Sequence, residues 1–244
     1  AGLNSFVLLS IPMFILMGMA VANSPAGKDL YTGLDRWLWR VPGGLVISNI
    51  GACSIFAALS GSSPATCAAI GTMGIPEMRK RGYSDEIATG TIAAGGTLGV
   101  LIPPSIVLIV YGLATGTSIG RLFLSGIIPG FMLASLFALW ALFHSYYIDK
   151  TSSKALRNKK PPTLKQKLEV LPRIFPFLAI IIGVLYVLYG GVATPSEASG
   201  VGAFLVFVMI AIVYKIYQPK KRCNIVKVSI KVIVMIMFFI SASF

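Results

Sequence analysis

The chain has 244 residues, 56% of them hydrophobic and only 12% charged, with a net charge of +13. Soluble domains carry about a quarter charged residues, so this composition excludes one large soluble core and reads as a multi-pass, all-α membrane protein. On a soluble protein a charge of +13 would suggest nucleic acid, but the placement of the cations gives it another meaning, and no nucleic-acid partner is expected.

Apolar runs can be judged against about 30 Å of hydrocarbon. Residues 1–23 form a first transmembrane span. Residues 24–42 interleave Arg36, Trp37, Trp39 and Arg40 with leucines, which fits an amphipathic arm in the interface plane. The alternative is a cytoplasmic loop with interfacial tryptophans. Residues 43–78 hold two apolar arms around a Ser/Gly centre, and 87–117 is a long apolar or small-residue run. Span 120–147 follows, then a basic cytoplasmic loop at 148–172, spans at 173–192 and 196–217, and the start of a further span at 228–244. The chain opens on Ala1 and closes at Phe244 inside an apolar run, so it reads as a piece of a longer chain. Residues 1–22 lack the basic n-region of a signal peptide.

With these spans, all 21 Lys and Arg residues except Arg121 fall on one face, counting Arg173, Lys215 and Lys231 as flanking their spans. That is the positive-inside pattern, so this face is cytoplasmic. The net charge is thus a topology signal. Cys53, Cys67 and Cys223 are far apart, fit no metal or disulfide spacing, and read as small packing residues.

Two of the apolar runs are interrupted. Run 87–117 has 31 residues, which as one straight helix would be about 46 Å long, well over the hydrocarbon thickness. Its middle contains Gly99, Ile102, Pro103, Pro104 and Ser105. Two adjacent prolines remove two N–H donors and disfavour helical backbone just before them, so the helix is expected to break near 99–104, with Pro104 and Ser105 opening its second half. Such breaks survive in a membrane only when buried in protein or lining a polar cavity; a tilted, proline-kinked helix is the alternative. Segment 43–78 has Ser60-Gly61-Ser62-Ser63-Pro64-Ala65-Thr66 at its centre. Its arms are short for full spans, which favours a re-entrant hairpin over two short spans joined by a Ser-rich loop.

Neither break carries a charge: no ionisable acid or histidine lies within 41–76 or 87–120. A proton relay needs such residues inside the membrane, whereas Na⁺ can be held by unwound carbonyls and half-helix C-termini, and helix N-termini suit an anionic solute. Sodium coupling is therefore expected over proton coupling, with no other cofactor. His144 lies near the cytoplasmic end of its span with no acid beside it and reads as interfacial. Thr194-Pro195-Ser196-Glu197 reads as a structural cap, with Thr194 as N-cap and Glu197 at N3. No Ser/His pair, paired Asp or metal-ligand cluster lies in the spans, so an intramembrane enzyme is not expected.

The runs Ser60-Gly61-Ser62-Ser63-Pro64-Ala65-Thr66, Ile102-Pro103-Pro104-Ser105, Ser125-Gly126-Ile127-Ile128-Pro129-Gly130 and Thr194-Pro195-Ser196-Glu197-Ala198 resemble, in this order, the large membrane subunit of tripartite ATP-independent periplasmic (TRAP) transporters. The opening Gly2-Leu3-Asn4-Ser5-Phe6 with Ile11-Pro12-Met13-Phe14-Ile15-Leu16 is similar too. The resemblance implies an elevator-type transporter of two inverted repeats, each with a re-entrant hairpin and a broken helix. This chain would hold the first repeat and the start of the second. It also implies Na⁺ as coupling ion, a small membrane subunit, a periplasmic solute-binding protein that delivers a small organic anion, and a place in the bacterial or archaeal inner membrane. Carried over by position, sodium would be held by backbone carbonyls of Ser60, Gly99, Ile102 and Pro104. Substrate would sit near Gly61, Ser62, Ser63, Thr66 and Ser105. A di- or tricarboxylate elevator carrier that works without a binding protein is the alternative within transport; a passive channel or scaffold is the alternative outside it.

Overall fold

A computed structural model describes residues 6–22, 24–38, 41, 43–147, 164–214 and 219–243, and the described residues are mostly helical. The opening motif at 2–5, Trp39 and Arg40, and residues 148–163 of the basic loop lie outside the described residues. A 3-10 turn, Phe6–Leu9, leads into α1 (Ser10–Ala22), and α2 (Pro25–Trp37) follows. Then come α3 (Gly44–Ser60), α4 (Ser63–Lys80), α5 (Asp85–Leu101), α6 (Ile106–Thr115) and α7 (Ile119–Tyr147). The last three are α8 (Leu164–Tyr189), α9 (Pro195–Tyr214) and α10 (Pro219–Ser243).

Among the described residues three stretches are long and apolar enough to cross a membrane, α5 and α6 taken together as Asp85–Thr115, Ile119–His144 of α7, and α9, and a fourth if the bent pair α1 and α2 is taken as one span. Helix α3 and the Ile174–Tyr189 part of α8 are apolar but shorter. The expected arm at 24–42 contains α2, which turns 64° away from α1. Its Leu30 and Tyr31 are buried, and its Lys28 and Trp37 are exposed. The outer face of α7 is strongly apolar and open, with Ile128, Phe131 and Leu139 exposed. That suits a helix whose solvent is hydrocarbon rather than water.

Local chemistry sets the helix ends. Ser84 caps α5 by accepting from the Ile87 N–H, and Asp85 and Glu86 in its first turn complement the positive helix end. Thr194 and Glu197 close a reciprocal capping box on α9. The Thr194 N–H donates to Glu197 Oε2 at 2.8 Å, and the Glu197 N–H donates to Thr194 Oγ1 at 3.4 Å.

Helices α3 and α4 form a hairpin whose arms stay together along their length. Near the base the Asn49 amide donates to Met78 Sδ; at the tip Ser60 and Thr66 meet. Helix α5 climbs the groove between the arms. Its Ile92 contacts Gly71 and Gly74 low on α4, Gly95 faces Cys53 of α3, and Gly99 reaches Ser62 and Ser63 at the tip. Small residues at these crossings let backbones approach, which is how apolar helices pack when lipid gives no hydrophobic push.

Candidate functional site

The hairpin tip is built by a glycine and three hydroxyls. Gly61 ends α3 with φ +58°, a left-handed conformation that L side chains rarely adopt, and its N–H donates to the Ala57 carbonyl. Ser62 is extended (φ −135°) and Pro64 lies in the first turn of α4. Thr66 Oγ1 donates to the Ser62 carbonyl at 2.9 Å. Ser60 Oγ lies 3.0 Å from Thr66 Oγ1, where either hydroxyl can donate, and 3.4 Å from the Ser62 carbonyl oxygen. The Ser62 N–H leans on Ser60 Oγ at 3.4 Å. Ser60 and Thr66 are fully buried, so their hydroxyls spend their hydrogen bonds on shaping the tip.

The break between α5 and α6 lies directly against this tip. Helix α5 continues through Gly99 and Val100 to Leu101, a little further than the prolines alone suggested, because the Ile102 N–H still donates to the Leu98 carbonyl. Pro103 then forces Ile102 into extended backbone (ψ 118°). An unbroken helix would use the N–H groups of residues 103 and 104 on the Gly99 and Val100 carbonyls; prolines have none, so these two oxygens lose their helical donors. Ser105 caps α6 by accepting from the Leu108 N–H.

Tip and break are joined by the Ile106 N–H, which donates to the Gly61 carbonyl at 3.1 Å. A Cβ on Gly61 would lie 2.4 Å from the Pro104 carbonyl oxygen, and one on Gly99 only 2.8 Å from the Ser63 nitrogen. On the far side Gly126 of α7 packs against the Leu101 carbonyl, where a Cβ would come within 2.7 Å.

Of the expected sodium carbonyls, those of Gly99 and Pro104 therefore belong to residues packed on the tip, and Ser60 and Ile102 flank the same contact. Of the expected substrate residues, Gly61, Ser62 and Ser63 line a cavity of about 570 Å³. Thr66 and Ser105 are buried behind it. The Ser63 hydroxyl is buried with no hydrogen-bond partner among the described residues. Tyr111 of α6 and Val232, Met235 and Ile236 of α10 also line this cavity, which is open, with Tyr111 and Met235 about half exposed. These four escaped sequence reasoning, because an apolar helix residue carries no signal of which cavity it faces. No charged side chain lines the cavity among the described residues, and no cluster of metal-binding His, Cys, Asp or Glu occurs among them.

Charge is instead gathered at the hairpin base. Arg81, just past α4, donates to both carboxylate oxygens of Asp35 on α2 (2.8 and 2.6 Å) and to Glu77 at 2.9 Å. Burial pulls this guanidinium down, but the hydrogen bonds and charges of Asp35 and Glu77 outweigh it and hold Arg81 above its ordinary value. Burial, and then the Asp35 charge, push the nearby Tyr31 phenol above its usual range. The Tyr214 hydroxyl of α9 donates to Asp29, so α2 is pinned both to the hairpin base and to α9.

Among the described residues the architecture is helical, with apolar spans and an uncharged pair of chain breaks packed inside protein, as a multi-pass membrane protein requires. The family described as "Tripartite ATP-independent periplasmic transporter, DctM component" matches residues 1–244, and the chain belongs to this family of large permease subunits. It is 38% identical over 229 residues to the C4-dicarboxylate TRAP transporter large permease protein of Vibrio cholerae, covering 93% of this chain and 49% of that protein. An isethionate TRAP transporter permease of Oleidesulfovibrio alaskensis is 38% identical over 202 residues, 83% of this chain and 31% of the relative. An ectoine TRAP transporter large permease of Halomonas elongata is 36% identical over 200 residues, 82% and 45% of the two chains. The chain thus spans at most about half the length of these relatives.

Proposed function

We propose that this chain carries one half of the transport site of a sodium-coupled permease that imports small organic anions across the inner membrane. A periplasmic solute-binding protein delivers the solute, and a small membrane subunit completes the complex. The relatives are named for C4-dicarboxylate, isethionate and ectoine, so family membership leaves the solute open.

One observation carries the reading: two uncharged breaks are tied into a single buried unit by the hydrogen bond from Ile106 to Gly61 and by Gly99 against Ser62 and Ser63. The carbonyls of Gly99 and Val100 have lost their helical donors to Pro103 and Pro104, which supports a bare cation held by the carbonyls of Ser60, Gly99, Ile102 and Pro104. The N-termini of α4 and α6 both start at this junction and suit the anionic solute near Gly61, Ser62 and Ser63. In this reading the α3–α4 hairpin enters the membrane from the cytoplasmic side and turns inside it, as the first of two inverted repeats. It moves with its broken helix in an elevator-type cycle.

The test is uptake by the full-length permease with its partners in proteoliposomes. Solute should accumulate only with an inward Na⁺ gradient, and uptake that continues unchanged when K⁺ replaces Na⁺ would overturn the coupling.

A further inference from the structure

The hairpin tip has a second wall, on α1. A Cβ on Gly18 would lie 2.4 Å from Ser60 Cα, 2.5 Å from Ser60 Cβ and 3.3 Å from the Ser60 nitrogen. Two of these three atoms are backbone, so no rotamer change relieves the contact. Ser60 cannot simply retreat, because Gly61 beside it is pressed against the Pro104 carbonyl and holds the Ile106 N–H. Helix α1 is backed by α9, where the Met17 sulfur lies 3.1 Å from the place of a Gly202 Cβ. The tip is thus clamped between α1 and the α5–α6 break.

We infer that Gly18 is a positioning residue for transport: its missing side chain sets how deeply the Ser60–Gly61 segment seats against Pro104, and so sets the spacing of the carbonyls around the ion. This rests on the sodium reading above. Ordinary contact begins near 3.4 Å, so Gly18→Ala forces the tip or α1 to yield by about 1 Å in an interior that is close-packed. Alanine is the better helix former, so a defect in this variant does not come from α1 as a helix.

The experiment compares wild type, Gly18→Ala and Gly202→Ala in the full-length permease reconstituted with its partner subunits. Gly202→Ala perturbs α1 away from Ser60, through the flexible Met17 side chain, and its other contact is the Val184 side chain of α8 rather than backbone. The half-saturating Na⁺ concentration should rise tenfold or more in Gly18→Ala and stay within twofold of wild type in Gly202→Ala. A sodium-dependent wild type with an unchanged half-saturation in Gly18→Ala overturns this inference alone. Sodium-independent uptake by the wild type overturns the sodium reading and this inference with it. Should Gly18→Ala not fold, hydrogen exchange on the wild type decides. Adding Na⁺ must protect the α1 segment around Gly18 together with 57–66, and protection of the tip without α1 overturns the inference.

Discussion

Two glycines of α5 make opposite predictions for one substitution. Around Gly90 an added Cβ meets nothing within 4 Å, whereas on Gly99 it meets the Ser63 nitrogen at 2.8 Å, the Ser62 carbonyl carbon at 2.9 Å and the Ser62 oxygen at 3.1 Å. Replacing glycine by alanine inside a helix gains about 1 kcal/mol of propensity at either place. At Gly99 this is set against an overpacking cost of about 1–3 kcal/mol, raised by the fact that all three atoms are backbone. Gly90→Ala should therefore be neutral or stabilising, and Gly99→Ala should fall about 1–3 kcal/mol below it. Each kcal/mol moves the midpoint by roughly 2–4 °C in a protein of 150–250 residues and by less in a longer chain. Thermal unfolding of the full-length permease in detergent should therefore place Gly99→Ala about 1 °C or more below Gly90→Ala. Uptake should drop with it, since the wedge enters between tip and break. If Gly99→Ala melts with Gly90→Ala and transports like wild type, the packing of α5 on the hairpin tip is not as described.

Two further perturbations probe the same architecture. Pro103→Ala restores an N–H that a continued helix would direct to the Gly99 carbonyl. That bond competes with a cation for the oxygen, so half-saturating Na⁺ should rise several-fold, and an unchanged sodium titration would remove Gly99 from the ion site. Arg81→Met withdraws a guanidinium that is shared by Asp35 and Glu77, on a side chain only 17% exposed in Arg81 itself. Leaving two partly buried carboxylates beside each other without it should cost about 2 kcal/mol. The triple variant Asp35→Asn, Glu77→Gln, Arg81→Met should recover part of that loss in the same unfolding assay. Wild-type stability in Arg81→Met alone would show that the cluster does not hold α2 to the hairpin.

How much of this was legible in the sequence depended on whether a feature was local. Pro103 and Pro104 act on their own neighbours, so the interruption of α5 could be read directly, and Ser62-Ser63-Pro64 likewise announced the start of α4. The end of α5 ran past the expected start of the break because a proline removes a donor four residues downstream of the carbonyl it starves, leaving Gly99 and Val100 helical. What joins the two breaks was not legible. The Gly61 carbonyl and the Ile106 N–H are remote in sequence, and Thr66 gave no sign that its hydroxyl would turn inward to Ser62 rather than toward the cavity. Arg81 could be counted as one more cytoplasmic cation, but its bond to Asp35, 46 residues away, could not. The glycines show the limit most clearly. Lipid exerts no hydrophobic push that would mark one face of a helix as inward, so position is written in small residues, and Gly18, Gly90 and Gly99 look alike as letters. Only their neighbours distinguish them. Gly90 faces open space, Gly99 faces the Ser62–Ser63 backbone and Gly18 faces the backbone of Ser60. The same missing methyl is therefore dispensable at one site and, at two others, a condition for the tip and the break to meet.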